Sequence, residues 1–128
     1  MESVQVLLVE DNTDLRKVVS EGLRLMGYSV TTAVDARDAL VQLEEHCFEV
    51  VCTDVAMPNG MSGVDLVIKA QALRPGTRMI LASGYPPSEL GPLPEDVLFL
   101  GKPYRLAQLL QALESFGVVP MESKHRAL

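Results

Sequence analysis

Short, solid apolar runs alternate along this chain with stripes of helical spacing, and that alternation restricts the fold more than any other feature. Val4 to Val9 (VQVLLV) has almost no polar break, and Phe48 to Thr53, Met79 to Ala82 and Val97 to Leu100 read the same way. A strand with one wet face alternates apolar and polar residues, so a nearly continuous run predicts cover on both faces. Tyr28 to Ala33 is a further short strand, which makes five. Between them, Thr13 is a candidate N-cap for a helix with Leu15, Val18, Val19, Gly22, Leu23 and Met26 on one face, closed by Gly27. Asp35 caps a helix striped by Ala36, Ala39, Leu40 and Leu43, and Leu66, Val67, Ala70 and Leu73 mark one that stops at Arg74-Pro75-Gly76. Pro103 opens the last helix, with Leu106, Leu109, Leu110, Leu113 and Phe116 at helical spacing as core.

Strands alternating with helices imply right-handed βαβ units, hence a doubly wound α/β fold with a parallel sheet and helices on both faces. One connection breaks the rhythm. The stretch SGYPPSELGPLPED after the fourth strand carries four prolines and two glycines, so it predicts an irregular loop with at most a turn of helix near Pro87 to Leu90.

At 128 residues the chain fits one domain, expected over 1–118 with a flexible tail over 119–128. A net charge of −6 argues against nucleic acid or an anionic membrane as direct partner, since phosphate contacts need clustered Lys and Arg. No apolar stretch is long enough to span a bilayer, and Met1-Glu2-Ser3-Val4-Gln5 lacks a signal peptide's basic region. The expectation is a cytoplasmic protein in which Cys47 and Cys52 are small buried hydrophobes and His46 and His125 ordinary exposed residues.

In an open parallel sheet ligands bind beyond the carboxyl ends of the strands, so the residues just past each strand matter most. Glu10, Asp11 and Asn12 come after the first, Asp54 after the third, Ser83 after the fourth and Lys102 after the fifth. Each has an ordinary reading when taken singly: Glu10-Asp11 as a helix-start signature, Asp54 as a turn residue, Lys102 as a snorkelling lysine, Ser83 as a loop serine. Four such accidents at four strand ends are improbable together. Three clustered acids need a compensating cation, which a hard divalent ion such as Mg²⁺ supplies. Ser83 and Lys102 are left as donors for a tetrahedral anion, so the set describes a phosphoryl-transfer site with Asp54 as nucleophile.

The segments VLLVEDN, VVCTDVAMP, LASGY and LGKP, in this order at strand ends, resemble the four motifs of the receiver domain of two-component response regulators. The resemblance runs from about Val4 to Phe116. It implies a flavodoxin-like (CheY-like) five-stranded sheet of order 2-1-3-4-5, with the fourth helix short or irregular. It further implies that Asp54 accepts a phosphoryl group from a phosphohistidine on a histidine kinase or phosphotransfer domain. Asp11, Asp54 and the carbonyl of Ala56 would hold Mg²⁺ (Mn²⁺ as substitute), with Glu10 acting through a metal-bound water. Lys102 would pair with the phosphoryl oxygens, and its peptide bond to Pro103 would be cis. Ser83 would turn toward the phosphoryl group and Phe99 would report the state as a switch. The loop MPNGMSG, with Gly60 as an additional glycine, and SGYP are similar to receivers fused to hybrid sensor histidine kinases. The proline-rich connection departs from the regular fourth helix used by dimeric transcriptional regulators, which counts against that dimer mode and leaves at most a weak homodimer.

Other classes fit less well. A phosphohydrolase with an Asp nucleophile needs a second acid two residues on, where this chain has Ala56. A flavin or nucleotide binder wants a Gly- or Ser/Thr-rich loop after the first strand, where this chain has acids. The remaining alternative is a pseudo-receiver that only binds partners. The favoured reading is a phosphoacceptor switch that assists its own phosphorylation and dephosphorylation without turning over a free substrate.

Overall fold

The two-sided burial anticipated for the strands is what the computed structural model displays over the residues it describes, 4–57 and 60–120. Five parallel strands, β1 (Gln5–Val9), β2 (Ser29–Ala33), β3 (Val50–Asp54), β4 (Arg78–Ser83) and β5 (Val97–Gly101), form one sheet of order β2-β1-β3-β4-β5. Helices α1 (Thr13–Leu25), α2 (Ala36–Glu45), α3 (Gly63–Leu73) and α4 (Leu106–Ser115) connect and cover it. Between β4 and β5 there is a single 3₁₀ turn, Pro87–Glu89, where the prolines left room for no more.

Alternate strand residues feed two separate cores. Val6, Leu8, Val50, Cys52, Ile80 and Ala82 pack with Val19 and Leu23 of α1 and with Leu109, Ala112 and Leu113 of α4. Leu7, Val9, Val51, Met79 and Leu81 pack on the other face with α2 and α3. All five residues of β3 are buried. Each fully buried Leu contributes about 1.5–3 kcal/mol, so the centre of the sheet carries a large share of the burial energy.

Several details differ from the sequence expectations. The cap of α1 is Asn12, not Thr13: its side chain accepts the Leu15 N–H at 2.9 Å and Thr13 becomes the first helical residue. Gly27 sits one position beyond the cap residue Met26, with φ of 99°, the left-handed geometry that ends helices. Pro103 does not open α4, which begins at Leu106 after Arg105, whose N–H donates to Gln108 Oε1. Val18 and Leu73, placed on apolar faces, are 66% and 42% exposed because Val19 and Ala70 take the inward positions. Cys47 is exposed, whereas Cys52 is buried, and burial pushes its thiol up to about 12. Asp35 caps α2 as expected, accepting from the Asp38 N–H.

After α4, Tyr28 Oη donates to the Val118 carbonyl at 2.8 Å, and Val118 and Pro120 are buried. The rest of the expected tail, Met121–Leu128 with His125, lies outside the described residues, as does Pro58. Among the described residues no helix is long and apolar enough to cross a membrane.

Candidate functional site

Sheet register brings the four strand ends level. Val9 pairs with Thr53, Asp54 with Ala82 and Ser83 with Gly101. The ladder continues one step past the strands: the Val55 N–H donates to the Ala82 carbonyl at 2.9 Å and the Lys102 N–H to the Ser83 carbonyl at 2.8 Å. Glu10, just beyond β1, donates its N–H to the Ala33 carbonyl. These bonds fix where each side chain leaves the backbone. The result is a cavity of about 580 Å³ on the carboxyl edge, lined by Glu10, Asp11, Asp54, Ala56, Ser83 and Lys102 among others.

Asp54 and Glu10 are buried, at 6% and 4% exposure, while Asp11 is open to solvent. Lys102 Nζ lies 2.6 Å from Asp54 Oδ1 and 3.6 Å from Glu10 Oε1. Burial pushes the Glu10 carboxyl up from 4.5 to about 7, opposed by the Asn12 N–H, reinforced by the charge of Asp54 and opposed again by Lys102. Burial alone would lower Lys102, but its hydrogen bond to Asp54 and the charges of Asp54 and Glu10 raise it on balance. One ammonium therefore does not neutralise the acids. Carboxylate oxygens of Glu10, Asp11 and Asp54 lie within 4.8 Å of one another, an all-oxygen donor set that fits a hard divalent cation. The Lys102–Pro103 bond is cis, as the resemblance implied.

Ser83 is buried, and its Oγ accepts the Tyr85 N–H at 2.9 Å. That bond uses a lone pair and leaves the hydroxyl hydrogen free to donate. Phe99 stands apart from this group. It lies half-buried on β5 opposite Leu81, sharing a sheet face with Val97 rather than lining the cavity.

Several residues that shape the site did not stand out in the sequence. Thr53 Oγ1 donates to the Asp54 carbonyl at 3.0 Å, and the Gly63 N–H donates to the Val55 carbonyl at 2.8 Å. A Cβ on Gly63 would sit 1.9 Å from the Asp54 carbonyl oxygen, so α3 abuts the backbone of Asp54 directly. A glycine at a helix start just after the serine cap Ser62 was the available signal, since glycine there costs stability unless space demands it. Arg16 Nη1 donates to the Glu10 carbonyl at 2.8 Å, and no local pattern announced it. Tyr85 and Leu90 of the proline-rich connection also line the cavity.

Comparison with known proteins fits this geometry. A family model described as the response regulator receiver domain matches residues 6–114. The response regulator receiver protein CpdR of Brucella abortus is 31% identical over 113 residues, covering 86% of this chain and 93% of that protein. The sensor kinase CckA of the same organism is 38% identical over 112 residues, covering 84% of this chain but 12% of the kinase. The crystal structure of the receiver domain from the hybrid histidine kinase CckA aligns with a TM-score of 0.76 at 31% identity, covering 87% of this chain and 96% of that one.

Proposed function

The chain belongs to the receiver domain family of two-component response regulators, and from that premise we propose that Asp54 is its phosphoacceptor, loaded from a phosphohistidine on a histidine kinase or phosphotransfer domain. The observation that carries the proposal is the 2.6 Å ion pair between Lys102 and Asp54, a carboxylate buried in one cavity with Glu10, Asp11 and Ser83. An Asp54 oxygen attacks phosphorus, the O–P bond forms as the N–P bond breaks, and the departing imidazole nitrogen takes a proton from solvent. Asp54 is already desolvated at its strand end, and Lys102 moves from its carboxylate to the incoming phosphoryl oxygens. The Ser83 hydroxyl donates to another of those oxygens. Glu10, Asp11, Asp54 and the Ala56 carbonyl would hold Mg²⁺ or Mn²⁺, which when bound neutralises charge on the transferring group.

Ser83 and Phe99 are the proposed switch, because the connection between them, residues 84–96, holds no buried residue. In this reading the protein is a cytoplasmic signalling switch that assists its own phosphorylation and dephosphorylation. Incubation with Mg²⁺ and a small phosphodonor, followed by intact mass, tests it. One added phosphate, absent in Asp54→Asn and in chelator, is the expected result. No uptake from any small donor or phosphorylated kinase would leave a receiver that acts only by binding partners.

A further inference from the structure

The carboxylates of Glu10 and Asp11 converge with that of Asp54 only if the backbone carrying them is held. They sit in the three-residue link 10–12 between β1 and α1. Asn12 provides one restraint, its N–H donating to Glu10 Oε2 at 3.0 Å while its side chain caps α1. Arg16, in the first turns of α1, provides another. Its Nη1 donates to the Glu10 carbonyl at 2.8 Å and lies 3.5 Å from the Asp11 carbonyl. The planar guanidinium thus spans the peptide units of both acids, with the stem half-buried. A second arginine makes a bond of the same kind at the other end of α1: Arg24 Nη2 donates to the Val30 carbonyl at 3.0 Å, away from the acids.

We propose that Arg16 is a positioning residue for the acidic pocket, its guanidinium holding the Glu10–Asp11 backbone so that their carboxylates meet Asp54 around a divalent cation. The inference rests on the reading of that cluster as a cation site. Charge and position predict opposite signs here. If Arg16 acted only as a nearby positive charge, removing it would tighten cation binding. If it positions the ligands, removing it loosens binding despite the lost repulsion. Groups that orient metal ligands typically affect affinity about 10- to 100-fold, and a half-exposed one belongs at the low end.

The test is titration of the full chain with Mn²⁺ alone, free ion read by electron paramagnetic resonance, with thermal unfolding of each variant recorded alongside. Arg16→Gln should raise the Mn²⁺ Kd about tenfold, Arg16→Lys should raise it less, and Arg24→Gln should stay within about twofold of the parent. Tighter or unchanged binding in Arg16→Gln, or equal loosening in Arg24→Gln, overturns the proposal. If Arg16→Gln does not fold, Arg16→Lys decides: a raised Kd supports positioning and an unchanged one refutes it. Failure of the parent chain to bind Mn²⁺ would overturn the cation reading and this inference with it. Binding by the parent with no response to Arg16 would overturn this inference alone.

Discussion

The two halves of the carboxyl edge are built differently. On the acid side, β3 is buried at every residue, and the peptide units around Asp54 are held by Thr53, Gly63 and Ala82. On the donor side, no residue between Gly84 and Asp96 is buried. Its backbone bonds include short local ones, such as Glu89 N–H to the Pro86 carbonyl and Leu90 N–H to the Pro87 carbonyl. Gly91 and Asp96 both adopt positive φ, and Gln71 Nε2 reaches across from α3 to the Glu95 carbonyl. The half built on β3, proposed to hold a cation and the phosphoacceptor, is the closely packed one. The half proposed to respond after transfer is loosely covered, so a rearrangement there would disturb little of the core.

Hydrogen exchange gives that contrast its largest expected expression. Amides of β3 should exchange only through global unfolding, on the order of 5–15 kcal/mol, whereas those of residues 84–96 should open near zero cost. A beryllofluoride phosphoryl mimic with Mg²⁺ should raise protection in 84–96 and leave β3 unchanged. Equal protection in the two segments before addition, or no change in the loop after it, would break the comparison.

Next in size is Gly63→Ala. The added Cβ would collide with the Asp54 carbonyl oxygen and carbon, both backbone atoms that cannot swing aside. Overpacking of this kind costs about 1–3 kcal/mol, and urea unfolding should show the upper part of that range. A variant of parental stability would mean that α3 and β3 slide apart freely, and the acid side would lose its claim to rigidity.

The pH dependence arises from Glu10, whose carboxyl is raised to about 7 in the folded chain from 4.5. Between those values the folded state binds the extra proton, so stability should fall as pH rises from 4.5 through 7. The loss should be on the order of 2 kcal/mol in chelator. Urea midpoints at pH 5 and pH 8 measure it. Glu10→Gln should flatten the difference, and Mg²⁺ should reverse most of it by compensating the ionised acids. A parent chain more stable at pH 8 than at pH 5 in chelator would contradict the burial of Glu10.

The sheet, its two-sided burial and the acids at its edge were legible because each is written in local sequence: solid apolar runs, helical stripes, a carboxylate at a strand end. Even the 3₁₀ turn could be had from counting prolines. Arg16 and Gly63 were not legible in the same way, because their roles depend on carbonyls six and nine residues away that only the folded chain brings near. The N-cap of α1 slipped by one residue for a related reason. Asn12 and Thr13 are both competent caps, and which one acts depends on where α1 meets the sheet. Phe99 stood out only through the resemblance, and its half-buried place outside the cavity makes any role in the switch indirect.

The smallest effect is the most diagnostic for the loose half. A Cβ on Gly84 would meet no atom within 4 Å, and the residue is not held at positive φ. Gly84→Ala should therefore raise stability by about 0.5 kcal/mol, mainly by restricting the unfolded chain. The same restriction acts on the folded loop beside Ser83, whose hydroxyl is proposed to donate to a phosphoryl oxygen. Mn²⁺ affinity, set on the acid side, should be untouched, while phosphoryl uptake from a small donor should slow about twofold to fivefold, equivalent to roughly 0.4–1 kcal/mol. A variant that weakened Mn²⁺ binding would show the two halves to be mechanically joined. Slower uptake at constant metal affinity would show that the rigid side binds and the loose side responds.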